Sequence, residues 1–257
     1  MEKRSIPKII HYCWFGGNEK PDNIKYYIDG WKKKLSHYEF IEWNESNFSI
    51  EEAPVYVKEA YRARKFAFVS DYVRIKALKE YGGIYLDTDI EIVKQFDEVL
   101  EDREMVLCFE SDCSLETAFI ACCQGNEHIA GFCDTYLTRR FIKEDGSYDM
   151  SVINEHFSNY MKEVGVELED ESYRLLEDGK IAIYPREYFA AFDIGNWHIK
   201  PTENTYTIHH MNSSWSSKKK KIYFASIHFL QKILGYKGYD KLKALYDKAR
   251  GKNEKNK

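Results

Sequence analysis

The 257-residue chain has no uninterrupted apolar run of about 18 residues, so its pattern predicts no membrane-crossing helix. No CxxC pair occurs among its six cysteines (Cys13, Cys108, Cys113, Cys122, Cys123 and Cys133), and none has metal-ligand spacing with a histidine. In a chain long enough to bury a full core, that usage predicts reduced thiols and a cytoplasmic setting rather than a disulfide framework. A secretory leader is not legible either, because the segment from Met1 to Ser5 is charged and the next apolar run is short. There is no internal repeat, and only residues 251–257 are low in complexity. A net charge of −4 gives no reason to expect a nucleic-acid partner. The expectation is a protein that is soluble or peripheral to a membrane.

The chain is rich in apolar residues (44%) and aromatics (16%), enough for one α/β domain with a small elaboration. Charge is unevenly spread. Residues 218–257 hold 13 Lys/Arg against 3 Asp/Glu, while the preceding residues hold 25 against 39. This contrast divides the chain into a main domain at 1–217 and a basic, partly amphipathic helical extension at 218–257.

Residues 6–14 read as a buried first strand ending at Phe15, Gly16 and Gly17, and helical spacing follows through Ile24, Ile28, Trp31 and Leu35. Residues 40–43 give a second strand that closes on Asn44. Residues 51–80 read as helix with an interruption around 62–66. Further strands are expected at 91–95, 105–110, 117–123, 181–185 and 205–209, with helices at 126–141 and 151–164 and a loop over 165–180. Strands interleaved with helices favour an α/β sandwich around a mixed central sheet.

The stretch from Ser70 to Glu91 carries the most chemistry. Asp71 and Arg74 lie three residues apart, on one face of a helix. Tyr81 is followed by Gly82 and Gly83, a breaker pair of the kind that ends helices. The short apolar strand Ile84, Tyr85 and Leu86 then delivers Asp87, Thr88 and Asp89. In an extended chain Asp87 and Asp89 point to the same side. Two hard carboxylates there suit Mg²⁺ or Mn²⁺ bridging a diphosphate, although a lone pair of acids at a strand end is more often simply solvated. Asp71 would accept from sugar hydroxyls, and the planar fork of Arg74 would meet a sugar oxygen or phosphate; the bland alternative is a structural ion pair. Trp14, at a strand end beside two glycines, is either core or a stacking platform for a base. His209, His210, Ser213, Ser214 and Trp215 form the last cluster. Adjacent histidines on an extended chain face opposite ways, so at most one of them joins the carboxylates, and Ser and Trp donors suit phosphate oxygens.

Three segments, IPKIIHYCWFGG, SDYVRIKALKEYGGIYLDTDIE and HHMNSSW, occur in the order that resembles the DxD sugar transferases of glycosyltransferase family 32. That family includes capsule and lipopolysaccharide transferases and Och1-like mannosyltransferases, and its core is similar to that of the clostridial glucosylating toxins. The resemblance implies a GT-A-type fold, a nucleotide-sugar donor with UDP ahead of GDP, a divalent metal that is usually Mn²⁺, and retention of anomeric configuration. Carried over by motif position, it implies that Trp14 stacks on the base and that Asp71 and Arg74 hold the donor sugar. Asp87 would contact ribose, sugar or metal, and Tyr85 would lie in the donor site. Asp89 and His210 would be metal ligands, and Ser213, Ser214 and Trp215 would approach the diphosphate. Asn44 is a weaker carry-over to the donor site. No carboxylate in the sequence is assignable as a covalent nucleophile.

The function expected is therefore metal-dependent transfer of a sugar to a glycan or lipid-linked acceptor in surface polysaccharide synthesis. A metal-dependent phosphoesterase or nucleotidyltransferase, using the same carboxylates, is the alternative enzyme. A non-catalytic nucleotide-sugar-binding module is the third reading. The basic extension could lie on the inner face of an anionic membrane, or pack as an ordinary C-terminal helix.

Overall fold

A computed structural model describes residues 4–111, 113–193, 198–211 and 218–249. The elements in chain order are β1 (Ile9–Cys13), α1 (Asp22–Lys34), β2 (Glu39–Trp43), α2 (Val55–Arg62), α3 (Phe66–Tyr81), β3 (Gly83–Leu86) and β4 (Ile90–Ile92). They continue with α4 (Asp97–Leu100), β5 (Met105–Ser111), β6 (Ser114–Cys122), α5 (Glu127–Thr135), α6 (Ile153–Glu163), β7 (Arg174–Leu176) and β8 (Ile181–Tyr184). The last are α7 (Arg186–Phe189), β9 (Phe192–Asp193), β10 (His198–Ile199), β11 (Thr207–His209) and α8 (Lys218–Ala249).

Seven strands form one mixed sheet in the order β2-β1-β3-β6-β5-β8-β7. β1 runs parallel to both β2 and β3, while β6 is antiparallel to β3 and β5. The sheet is covered on both faces, as strands with apolar residues on both sides require. One face packs under α2, α3, α5 and α6 through Val57, Val73, Phe132 and Phe157; the other meets α1, α4 and α7 through Ile28, Trp31, Val99 and Phe189. This is the mixed sheet between helical layers expected of a GT-A-type α/β fold.

The topology places a site. From β1 the chain passes through α1 to β2 on one side, then returns through α2 and α3 to β3 on the other side of β1. Ligands of open α/β sheets sit outside the carboxyl ends of strands at such a reversal. Here those ends are Cys13–Trp14 and Leu86–Asp87.

α3 is not a surface helix with one apolar stripe. Phe68, Val69, Tyr72, Val73, Ile75, Ala77 and Leu78 are all buried, which spreads apolar contact around its circumference. Asp71 and Arg74 are therefore carried into the interior. The helix stops at Gly82 (φ 65°), and Gly83 follows at φ 96°. A Cβ on Gly83 would stand 2.5 Å from the Ile9 carbonyl oxygen, so the crossing into β3 needs glycine for backbone and space alike.

Several expected elements differ in extent. The helix expected over 126–141 ends at Thr135, after an Asn126 cap that accepts from the His128 and Ile129 amides. The loop expected over 165–180 contains the short edge strand β7. The short elements α7, β9 and β10 lie within 185–204, and α4 follows β4; none had enough length for a periodicity to register. Asp87 and Asp89 do not lie on an extended strand. β3 ends at Leu86, and residues 87–90 form a turn closed by Ile90 N–H donating to the Asp87 carbonyl.

β4 pairs antiparallel with β11 in a separate two-stranded ribbon, with His209 opposite Ile90. α8 leaves helical geometry at Gly235 (φ 66°, ψ 164°). It buries Ile227, Gln231 and Tyr239 while Phe229, Ile233, Leu245 and Tyr246 stay exposed. No helix among the described residues is long and apolar enough to cross a membrane. The junction at 212–217, including the expected division after residue 217, lies outside the described residues.

Candidate active site

A cavity of about 670 Å³ opens where the topology puts it, lined by Trp14, Asp71, Arg74, Tyr85, Asp87 and Asp89 among others. Six of the residues singled out from the sequence thus share one space. Asn44 does not line it; its Oδ1 accepts from the Ser46 N–H and hydroxyl, so it shapes the turn after β2. Ser213, Ser214 and Trp215 lie outside the described residues.

Arg74 is the hub. Its guanidinium donates to Asp71 Oδ1 at 2.9 Å and to the Thr117 carbonyl at 2.8 Å, and it lies 3.3 Å from Asp87 Oδ1. It also stacks over the Tyr85 ring, 4.6 Å from the centroid, and the Tyr85 hydroxyl donates to Asp87 Oδ1 at 2.8 Å. Burial opposes its charge, but Asp87, Tyr85 and Asp71 outweigh this and raise its pKa. Burial pushes the Asp71 carboxyl up to about 6, with Arg74 opposing the shift. The helix periodicity that put Asp71 beside Arg74 is met by their 2.9 Å contact, whereas the approach of Asp87 comes from the strand connection.

Of the two histidines, the structure brings His209 to the aspartates and turns His210 away. His209 Nε2 is 3.3 Å from Asp89 Oδ1. His210 stacks on Tyr27, with ring centroids 4.7 Å apart, and its Nε2 is 2.8 Å from Glu91 Oε2. Only its backbone touches the motif, the N–H donating to the Asp89 carbonyl at 3.1 Å. The reason is register: the β4–β11 ladder sets His209 opposite Ile90, and alternation sends the next side chain to the other face.

Asp87, Asp89 and His209 each offer a ligand atom, and these atoms all lie within 4.8 Å of one another. Two carboxylate oxygens and an imidazole nitrogen fit Mn²⁺ or Mg²⁺ chemistry, with Mn²⁺ the better match to nitrogen. Burial disfavours a charged His209, but Asp89 and Glu116 outweigh it and raise its pKa well above the ordinary value. A proton on His209 and a divalent cation at this site would therefore compete for the same carboxylates.

Two carboxylates in the wall were not singled out from the sequence. Glu110, near the end of β5, accepts from Ser114 Oγ at 3.3 Å, and burial together with the nearby Glu116 pushes its carboxyl up to about 7. Glu116 on β6 is almost fully buried, at 1% exposure. The signal available was an acid inside each of two mostly apolar strands, MVLCFES and SLETAFIAC. From α6, Asn154 also lines the cavity and accepts from the Thr117 hydroxyl.

Residues 21–106 match the family described as a glycosyltransferase sugar-binding region containing a DXD motif. Comparison with curated proteins returned no match. Among solved structures, the chain is similar to one described as PaToxG glycosyltransferase, at 20% identity with 63% of this chain and 70% of that one covered and a TM-score of 0.47. It is also similar to a glycosyltransferase involved in glycosylation of the major capsid of PBCV-1, at 9% identity with 86% and 100% covered and a TM-score of 0.44. A third is the UDP-bound glycosyltransferase domain from the YGT toxin, at 11% identity with 65% and 69% covered and a TM-score of 0.33. The family match contains Asp71, Arg74, Asp87 and Asp89, the four residues that converge on the cavity floor. That match, over 86 of the 257 residues, supports a glycosyltransferase of the DXD type.

Proposed function

We propose that the chain transfers a sugar from a nucleoside-diphosphate donor, a UDP-sugar first among them, to a glycan or lipid-linked acceptor in surface polysaccharide synthesis. The observation that carries this reading is the convergence of Asp71, Arg74, Asp87, Asp89 and His209 at one end of a cavity that Trp14 also lines. Trp14 offers an indole face for the base, with its Nε1 already engaged by the Asn18 carbonyl at 2.7 Å. Asp71 presents a carboxylate to sugar hydroxyls, held in place by Arg74. Asp87, Asp89 and His209 are the residues that would hold a divalent ion, Mn²⁺ in the first instance. Such an ion, when bound, neutralises charge developing on a departing diphosphate. Asp87 is fixed for that task by Tyr85 and Arg74, and Asp89 by its turn and by His209.

A panel of nucleotide-sugars with Mn²⁺ tests this reading. Release of a free nucleoside diphosphate is the expected result. Release of a monophosphate or pyrophosphate would assign the same carboxylates to a phosphoesterase or nucleotidyltransferase, and donor binding without turnover would make the chain a binding module. The proposed stereochemistry is retention, read from the anomeric proton of the product by NMR.

The proposed setting is the cytoplasmic side of an anionic membrane, with α8 as the contact. Exposed Phe229, Ile233, Leu234 and Leu245 alternate along this helix with exposed Lys232, Lys237 and Lys241. Apolar side chains flanked by lysines suit insertion at the headgroup boundary. Co-sedimentation with anionic vesicles should fall when Phe229 and Ile233 are both changed to Ser; unchanged binding would remove α8 from that role.

A further inference from the structure

The strand β6 forms the back of the site, and its middle is irregular. Pairing with β5 runs Met105–Cys122 and Val106–Ala121, then shifts so that Cys108 faces Glu116. Register shifts of this kind re-aim side chains and leave backbone groups without ladder partners. Here Glu116 supplies the missing partner itself. Its Oε1 accepts from the Thr117 N–H and the Ala118 N–H, both at 2.8 Å. The carboxylate is thereby locked, and its second oxygen, Oε2, is left facing Nδ1 of His209 at 3.2 Å.

We propose that Glu116 is the positioning residue of the cation site: it holds His209 in the tautomer with the proton on Nδ1, reserving Nε2 for the ion beside Asp87 and Asp89. The proposal rests on the metal-dependent reading given above. A carboxylate can only accept, so the imidazole nitrogen facing it must donate. The other ring nitrogen, on the Asp89 side, is then the one with a free lone pair once the imidazole is neutral. Carboxylate–histidine–metal arrangements use this device to fix ring orientation and raise ligand basicity. The same three residues anchor the rest of the floor. Thr117 receives Arg74 through its carbonyl and hydroxyl, and the Ala118 carbonyl accepts the Asp87 N–H at 2.9 Å. One irregular segment thus sets His209, Arg74 and Asp87 together.

Glu116→Gln is the informative substitution, because it preserves size and one carbonyl oxygen. That oxygen stays on the Thr117 and Ala118 amides, which places the side-chain NH₂ against Nδ1 of His209. Nδ1 must then accept, the proton moves to Nε2, and the lone pair on the Asp89 side is lost. Mn²⁺ affinity, read by electron paramagnetic resonance titration without any donor, should fall by about 10- to 100-fold. The unfolding midpoint in urea should stay close to that of the unaltered chain. A second readout needs no variant. Long-range nitrogen NMR of the unaltered protein loaded with diamagnetic Zn²⁺ should show His209 protonated at Nδ1 and ligated through Nε2. Equal Mn²⁺ affinity in Glu116→Gln, or ligation through Nδ1, would overturn the positioning role alone. Absence of Mn²⁺ binding by the unaltered chain would overturn the metal reading and this proposal with it.

Discussion

Nε2 of His209 lies 3.3 Å from Oδ1 of Asp89, across 120 residues of chain. The neighbouring imidazole of His210 is committed instead to Tyr27 and Glu91. The two histidines are therefore separable by substitution. His209→Ala should weaken Mn²⁺ binding by at least about 10-fold, the scale on which shell residues act. His210→Ala should leave metal affinity close to that of the parent. Isothermal titration with Mn²⁺ measures both, and the reverse order would return the ligand role to His210.

Removing Arg74 leaves Asp71 and Asp87 facing each other in the interior with no cation between them. Truncating one partner of a buried ion pair costs on the order of 3–5 kcal/mol. Arg74→Ala should approach that loss in a urea melt. Arg74→Lys should recover part of the stability but not turnover, because an ammonium cannot span Asp71, Asp87 and Thr117 as a planar fork does.

Glu59 gives a pH dependence remote from the cavity. Burial would raise its pKa, but the amides of Ile142 and Phe141 and the Arg140 guanidinium outweigh it and hold it below the ordinary value. A depressed carboxyl stabilises the fold above its unfolded-state pKa and loses that contribution as pH falls through the folded one. Glu59→Gln should therefore cost about 1–3 kcal/mol near neutral pH. The gap between variant and parent should shrink in the acid range below about pH 4. Parallel denaturation at the two pH values checks the sign.

Gly83→Ala tests the crossing from α3 into β3. The required φ of 96° and a Cβ placed 2.5 Å from the Ile9 carbonyl oxygen leave alanine no relaxed position. A loss of about 1–3 kcal/mol is expected in thermal or urea unfolding. Restored activity after stabilising conditions would separate this backbone effect from a role in chemistry.

Much of the layout was legible because it is local. Asp71 and Arg74 share a face through helical spacing, and the strand at 83–86 announces itself through its glycines and apolar run. The extents of α5 and β7 were less legible. A capped start at Asn126 carries a signal, but the helix ends at Thr135 without a breaker, and a three-residue edge strand has no measurable period. Glu110 and Glu116 stood in apolar strands as exceptions, and what they face depends on a register shift that no composition reveals.

The sequence by itself determined where the candidate groups stand: an acidic pair after a short strand, an aspartate and an arginine on the preceding helix, and a tryptophan at the first strand's end. Local periodicity suffices for that, since each relation spans a few residues. The tertiary structure alone decided which histidine meets the acids and which carboxylate stands behind it. Those relations span 120 and 93 residues and hang on strand pairing, where a slip of one position turns every side chain to the opposite face.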